Sequence, residues 1–430
     1  MILDLTSGKE RVSLLFTLML LLFANSALAK ERTLTLAVAV EKTMTEHPAF
    51  RLYEFRLDEL EGEEVQSRLR PAINLHAELE NFAGTSPFQS FGRSDATVAL
   101  SSVLERGGKR QARIERSSRA YTLLELNKQT YTHKLLAEVN RRYVDVLASQ
   151  ARATLAGRSK TLADDALAVA VNRVAAGASP DAEVSRARAV ASQSHLALRS
   201  EQKQLEYLKS ALASMWQAPY ADFDVVSGDL FEMPTPLSFD DLLVGLEQSS
   251  IVLALIAEEQ VLDAEVQLAE AQSEVDLGWS LGVRRIGEAD ETAFVAGVSM
   301  PILSGRRIKG IVQTAIASKN VATSNRSLVL LSLRTKLHAA YSQRERAIHE
   351  VSDLQRDIVP ALEEALRSTR AGYQNGRYGY LDYFSARREL LQARLGLIDT
   401  AASVLRFSAD IDALTSNSLV EPTLTMGGAE

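Results

Sequence analysis

The chain has 430 residues, 46% of them hydrophobic, which is enough material for two or three ordinary domains. It contains no cysteine, so disulfides, thiolate metal sites and a lipidated N-terminal cysteine are excluded. The net charge of −7 provides no basic surface for nucleic acid, and we expect no nucleic-acid partner. Glycine and proline are sparse whereas alanine, leucine, glutamate and arginine are abundant, a balance that favours long helices.

The N-terminus has the pattern of a secretory signal peptide. Lys9 and Arg11 form a charged start, an apolar core follows, and Ala27-Leu28-Ala29 matches a cleavage site. The apolar run is about 13 residues, shorter than the ~20 that a membrane-spanning helix needs, which argues against a permanent anchor. Since no uncharged stretch of that length follows residue 30, we expect an exported protein that is periplasmic, secreted or inserted in the outer membrane through β-strands.

Sequence landmarks recur at an offset of about 198 residues, which indicates an internal duplication. VALSSVLERGGKR (98–110) resembles AGVSMPILSGRR (296–307), RVAAGASPDAEVSRAR (173–188) resembles GYQNGRYGYLDYFSARR (372–388), and Tyr143 corresponds to Tyr341. A proline-bearing segment separates the two halves. The predicted organisation is a signal peptide (1–29), a first repeat (30–217), a linker (218–237), a second repeat (238–415) and a disordered tail (416–430).

Each half is predicted to contain a first helical stretch, two short strands, a very long helix and a returning helix after a glycine turn. The corresponding ranges are 33–69 and 238–274, then 107–173 and 304–372, then 180–217 and 379–415. At 1.5 Å per residue the long helices reach roughly 100 Å. Apolar residues seven apart, Leu155, Leu162 and Val169, suggest coiled-coil packing, and Pro360 should kink or break the second long helix.

Four segments alternate apolar and polar residues with the period of two that marks a strand. They are 72–82, 96–104, 277–285 and 294–302, and their apolar sides include Leu75, Val98, Trp279 and Val298. In a membrane sheet the apolar sides face lipid, whereas in a soluble scaffold or adaptor they cover a core. Four strands are too few to close a barrel, and open edges in lipid are costly, so a membrane sheet requires several chains.

These features together resemble the TolC-type outer-membrane efflux family. The resemblance rests on the duplication, the LERGGKR and MPILSGRR strand-to-helix junctions, and the RVAAG and YQNG turns with an acidic residue six positions after the glycine. It implies a mainly α-helical protein with a small membrane β-barrel. Three chains would form a 12-stranded barrel in the outer membrane, continuous with a long α-helical tunnel in the periplasm. Within the family, the chain is most similar to the branch that serves heavy-metal resistance–nodulation–division pumps.

The resemblance also implies partners and a gate. The expected partners are two further copies in a homotrimer, a periplasmic adaptor (membrane fusion protein), an inner-membrane pump and outer-membrane lipid. By position, Asp382 and Glu183 match acidic gate residues and Tyr373 matches a tyrosine that links to Glu183, whereas Ser385 and Tyr378 depart from the family pattern.

Further roles are assigned to residues flanking the gate and the strands. Arg186 and Arg387, one turn beyond the two acids, are candidates for the gate or for surface ion pairs. Gly107, Gly108 and Gly305 are assigned to the strand-to-helix turns. A simpler alternative for the two acids is that they only complement the dipoles of the returning helices.

No motif for catalysis is present. There is no phosphate-binding loop, no nucleophile elbow and no HExxH-like spacing among the six histidines, so we expect no enzyme activity, no cofactor and no metal site. The function predicted is a passive exit duct of a tripartite efflux pump, with heavy-metal cations as candidate cargo. A type I secretion duct and a soluble periplasmic coiled-coil scaffold or adaptor are the alternatives.

Overall fold

The computed structural model describes residues 32–85, 89, 91–235, 238–302 and 305–416. The predicted signal peptide lies outside these residues, as does the predicted tail apart from Ser416. Ser416 caps the C-terminus of the last helix, and its carbonyl accepts a hydrogen bond from the Ser250 amide at 3.3 Å. Among the described residues, no helix combines the length and apolar character that crossing a bilayer requires.

The first half begins with a short strand and two helices and ends with a helical hairpin. Its elements are β1 (Thr33–Leu34), α1 (Leu36–Glu46), α2 (Pro48–Arg68), β2 (Asn74–Glu80), β3 (Asp95–Leu104), α3 (Lys109–Ala175) and α4 (Asp181–Ala213). The predicted first helical stretch is two helices, because Pro48 lacks an amide proton and starts a new helix at its first position. Helix α3 has 67 residues, which at 1.5 Å each spans about 100 Å, as predicted.

The second half repeats this order after a short strand, β4 (Val225–Val226). Its elements are α5 (Phe239–Glu247), α6 (Ser250–Ser273), β5 (Leu277–Ile286), β6 (Glu291–Ser299), α7 (Gly305–Asp353), α8 (Val359–Gln374) and α9 (Tyr380–Thr415). Strand β6 is shifted by three residues toward the N-terminus relative to the predicted segment 294–302. Met300 and Ile302 therefore lie after the strand.

Pro360 does not break the second long helix. The five residues Leu354–Ile358 form a π-helical turn immediately before α8, and the helical backbone continues through Pro360. A proline ring clashes with the carbonyl four residues earlier and cannot donate to it. A π turn contains an extra residue and accommodates that lost bond, so the predicted break is wrong, while the predicted kink stays a prediction.

The predicted linker is packed rather than free. Strand β4 pairs in parallel with β1, and Gln150 of α3 bonds both the amide and the carbonyl of Val226, at 2.8 and 3.0 Å. The buried Tyr143 hydroxyl donates to the Leu34 carbonyl at 3.0 Å and to that of Ser227. This strand pair was not predicted.

Two apolar cores lie at corresponding places in the halves. The first joins β1, α1, α3 and β4 around Val139, Tyr143 and Trp216, and the second joins α5, α6, α7 and α9 around Leu246, Leu337 and Ile411. Tyr341, the counterpart of Tyr143, packs against the second core. The structure therefore repeats the duplication found in the sequence.

Candidate functional site

The four longer strands form one antiparallel sheet in the order β2–β3–β5–β6. Leu75 pairs with Leu100, Leu100 with Leu281, and Leu281 with Ala296, so apolar side chains line up across one face. That face is solvent-exposed in the single chain: Leu75 is 70% and Phe294 94% exposed. Side chains of successive residues point to opposite faces of a strand, so this register confirms the predicted alternation.

The four predicted lipid-facing residues lie on this apolar face. Val98 pairs with Ala77 and Val283, and Trp279 pairs with Val298. Leu75, Val98 and Val298 are exposed, whereas Trp279 is half-buried. The sequence pattern thus placed all four residues on one surface.

The opposite face is lined by small and polar residues. His76 pairs with Ala99, Ala99 with Gly282, and Gly282 with Val295. A Cβ at Gly282 would lie 2.6 Å from the Ala99 Cβ and 2.6 Å from the Val98 carbonyl oxygen, closer than real Cβ atoms approach. Glycine is therefore required where β3 and β5 meet.

A tight junction connects the sheet to the long helix α3. Gly107 and Gly108 both have left-handed backbones, with φ of 73° and 72°, which glycine adopts without penalty. The buried Lys109 ammonium lies 2.7 Å from the Asp276 carboxylate and donates to the Glu274 carbonyl at 2.8 Å. The junction is thereby tied to the segment that leads into β5.

Asp276 is held in its charged form at this junction. Burial raises the pKa of Asp276, but hydrogen bonds from the Lys109 side chain and the Arg106 amide outweigh it and leave the pKa below its usual value. In the second half, Gly305 is the first residue of α7, and the two residues before it lie outside the described chain. The assignment of Gly305 to a turn stays a prediction.

At the far end of the long helices, the Tyr373 hydroxyl of α8 donates a hydrogen bond to the Glu183 carboxylate of α4. Tyr373 is only 2% exposed, and the Glu183 side chain only 11%. Burial and the bond to Glu183 raise the pKa of Tyr373 well above its usual value, so its hydroxyl remains a donor at every physiological pH.

Arg173 completes this contact and was not predicted. Its guanidinium lies 4.8 Å from the Tyr373 ring centre, donates to the Tyr373 carbonyl at 2.6 Å, and lies 4.0 Å from the Glu183 carboxylate. Tyr373 also stacks on Tyr383, with ring centres 5.6 Å apart. We call Arg173, Glu183, Tyr373 and Tyr383 the tip cluster. The sequence signal that could have identified Arg173 is its position in the RVAAG turn, four residues before Gly177.

The other predicted tip residues lie outside the cluster. The Asp382 carboxylate accepts the Gly379 amide at 3.0 Å and so caps its own helix. Arg186 is exposed. Arg387 is not a surface ion pair: it is buried and donates to the Ser159 carbonyl and to the Ser159 and Ser194 hydroxyls at 2.8 to 3.0 Å.

No group of three or more potential metal ligands occurs in the described part of the chain. His195 contacts the Asp164 carboxylate at 2.8 Å, and His133 contacts the Ser250 hydroxyl at 3.2 Å.

The duplicated helices, with an amphipathic sheet at one end and a helical tip at the other, define a helical-tunnel channel of the outer membrane. The outer membrane efflux protein family model matches residues 41–216 and 246–417, and the chain belongs to this family. It is an exit duct for efflux, located in the outer membrane with a periplasmic extension. The family is one of channels and not of enzymes.

Two curated relatives extend this result. The cobalt-zinc-cadmium resistance protein CzcC of Cupriavidus metallidurans is 27% identical over 356 residues, which are 83% of this chain and 84% of that protein. The nickel-cobalt-cadmium resistance protein NccC of Alcaligenes xylosoxydans xylosoxydans is 24% identical, over 75% of this chain and 73% of its own. Both alignments span most of each chain.

Solved structures share the fold at low identity. The outer membrane protein VceC of Vibrio cholerae superposes with a TM-score of 0.73 and 19% identity, covering 88% of this chain and 96% of its own. CusC superposes with a TM-score of 0.72 and 16% identity, covering 88% and 90%. The predicted family and fold class are confirmed.

Proposed function

We propose that three copies of this chain close their four-stranded sheets into one barrel and act as the exit duct of a tripartite pump for heavy-metal cations. The observation that supports the barrel is the exposed apolar face, which no described part of the chain covers. The outer edges of β2 and β6 also have no strand partner within the described residues. Unpaired strand edges in hydrocarbon cost several kcal/mol per backbone group, and only a closed ring of copies removes them.

The proposed cargo is supported by the relatives. CzcC is a cobalt-zinc-cadmium resistance protein and NccC a nickel-cobalt-cadmium resistance protein. The partners in this proposal are an inner-membrane pump, which supplies the energy, and a periplasmic adaptor that joins the pump to the duct.

We also propose that the tip cluster holds the periplasmic end closed. The bond between Tyr373 and Glu183 joins α8 of the second half to α4 of the first, so separating these helices must break it. A carboxylate repeated in three copies at a constriction would also favour cations over anions.

The test is complementation of a deletion strain exposed to zinc, cobalt and cadmium. The wild-type gene should restore growth, as should His76→Arg, because His76 lies on the polar face. Leu75→Arg, its neighbour on the apolar face, places a charge in lipid at a cost of about 2–4 kcal/mol near the midplane and should reduce assembled protein and resistance.

The two parts of the proposal fail separately. If deleting the gene leaves resistance to zinc, cobalt and cadmium unchanged, the proposal that heavy-metal cations are the cargo is contradicted. Equal amounts of assembled Leu75→Arg and His76→Arg protein in the outer membrane would contradict the assignment of the two faces.

A further inference from the structure

A cleft lies between three of the long helices, close to the tip cluster. Its walls come from α3, α4 and α9, and its volume is about 290 Å³. At ~30 Å³ for each water-sized group, the cleft has room for roughly ten non-hydrogen atoms. Because one chain supplies all three walls, a molecule bound there needs no second copy, and the inference does not depend on the proposed ring.

A buried arginine of α9 lines this cleft. The Arg387 side chain is only 7% exposed. Its Nη2 atom donates to the Ser159 carbonyl and to the Ser159 and Ser194 hydroxyls, at 2.8 to 3.0 Å. Nε and Nη1 make no hydrogen bond to the described residues, and neither atom is fully enclosed. Since a guanidinium has five N–H donors, Arg387 has unused donors at the cleft.

Arg387 also lacks a counter-ion, unlike the other buried lysine and arginine side chains of the described chain. The Lys109 ammonium lies 2.7 Å from the Asp276 carboxylate. The Arg344 guanidinium lies 2.9 Å from the Glu345 carboxylate. No carboxylate of the described residues lies within 4.0 Å of the Arg387 guanidinium. Burying an unpaired charge is costly, so an anion bound in the cleft offsets a penalty that the fold carries.

The acids around the cleft are paired with other bases. Asp164, whose charge acts on Arg387, lies 2.8 Å from the His195 ring. Glu201, which lines the cleft, lies 3.7 Å from the Arg152 guanidinium. Burial is the main influence on Arg387 and lowers its pKa, but a guanidinium stays charged at physiological pH. The positive charge is therefore left for a group that enters the cleft.

The rest of the cleft is mainly apolar. Its walls include Leu155 of α3, Val190 of α4, and Phe384, Leu391 and Leu395 of α9. Such walls favour a ligand with an apolar body, because a fully hydrated inorganic ion would lose water contacts that aliphatic side chains cannot replace. One buried cation without a counter-ion matches a ligand with one negative charge.

We propose that this cleft binds a small organic monocarboxylate, with its carboxylate against Arg387 and its apolar body against Phe384 and Leu391. The guanidinium donates charge-assisted hydrogen bonds from Nε or Nη1. The Ser159 hydroxyl accepts from Nη2 and donates its own proton to the carboxylate. Because α3 and α4 belong to the first half and α9 to the second, the bound molecule stabilises the contact between the halves.

The duplication supplies a matched control for Arg387. Its counterpart in the first half is Arg188 of α4, since Ala187-Arg188 aligns with Ala386-Arg387. Arg188 is exposed and is not part of the cleft wall. Replacing either arginine by glutamine removes the same charge, but only the change at Arg387 alters the cleft.

Isothermal titration calorimetry of the purified protein in detergent, at pH 7 and low salt, tests the site with benzoate and hexanoate as probes. The wild type should bind one of either probe per chain. Arg387→Gln should weaken benzoate binding at least about tenfold, because a charge-assisted hydrogen bond is lost, whereas Arg188→Gln should bind like the wild type. Benzamide, a neutral analogue of benzoate, should bind the wild type at least about tenfold more weakly. Ala197→Phe fills the cleft from α4 and should abolish binding with Arg387 intact.

Thermal unfolding gives a second readout of the same site. Saturating benzoate should raise the Tm of the wild type and of Arg188→Gln but not that of Arg387→Gln. A wild type that binds neither probe overturns the inference, and so does benzoate binding that Ala197→Phe leaves unchanged, even where Arg387→Gln fails to fold. Equal affinity for benzoate and benzamide overturns the role of the buried charge, and equal affinity for benzoate and inorganic phosphate overturns the role of the apolar walls.

Discussion

Replacing Tyr373 by phenylalanine tests whether the tip cluster holds the channel closed. The substitution removes one hydroxyl and keeps the ring that stacks on Tyr383 and lies beside Arg173. It deletes the bond to Glu183, which joins residues 190 positions apart in the sequence. A hydrogen bond to a charged group contributes about 1.5–3 kcal/mol.

That magnitude sets the expected change in gating. Since 1.4 kcal/mol is a factor of ten in an equilibrium constant, the ratio of closed to open tips should fall roughly 10- to 150-fold per chain. Glu183→Gln keeps an acceptor but makes the bond neutral, and neutral bonds contribute about 0.5–1.5 kcal/mol. Its effect should therefore be smaller than that of Tyr373→Phe.

The assay is single-channel conductance of purified protein in planar bilayers. Tyr373→Phe should spend more time in the higher-conductance state than the wild type. Tyr383→Phe is the matched control, because it also removes one tyrosine hydroxyl, from the ring that stacks on Tyr373. The Tyr383 hydroxyl has no hydrogen-bond partner among the described residues. Equal open times in the two variants would refute the reasoning.

Two further predictions concern the strand-to-helix junction. In a urea titration, Gly107→Ala should lower the free energy of unfolding more than Gly108→Ala does. Both variants force alanine into a left-handed backbone at a cost of about 1–2 kcal/mol. Only a Cβ at Gly107 would also meet the Glu274 side chain at 2.5 Å and the Ala271 carbonyl at 2.9 Å. Equal losses would show that the contact with α6 relaxes freely. Asp276 should contribute stability that is complete above its unfolded pKa of about 4 and is lost as the pH falls through its lower folded value. Asp276→Asn should therefore flatten the decline in thermal stability below pH 4, and an unchanged decline would assign it to other carboxylates.

The sheet and the long helices could be predicted because their signals are local. A period of two in the hydrophobic pattern gives both the strand and its two faces, so Leu75 and Val98 were placed on one surface without a structure. Sparse glycine and proline similarly indicated α3 almost to the residue. Strand ends were less certain, and β6 is shifted because alternation continues beyond the last ladder bond.

Features that depend on distant contacts were missed. Strand β4 has two residues, too few for a period, and is held by β1 and Gln150 from far along the chain. Arg344 is fully buried and donates to the Thr235 carbonyl at 2.8 Å, fixing the same connecting segment against α7. The residues around Arg344 do not differ from those around a solvent-exposed arginine on a helix, so its burial cannot be read from the sequence. The same holds for the pairing of β4 with β1.

The tip shows how duplication and function diverge. Glu183 and Asp382 occupy equivalent positions in the two halves, yet Asp382 caps its own helix whereas Glu183 receives Tyr373 from the other half. A contact within one half would survive movement of that half as a rigid unit. Because the Tyr373–Glu183 bond crosses between halves, and Arg173 of the first half also donates to the Tyr373 carbonyl, relative movement of the halves must break both contacts. In the gate that we propose, this asymmetry between the two acids is what makes the tip resist opening.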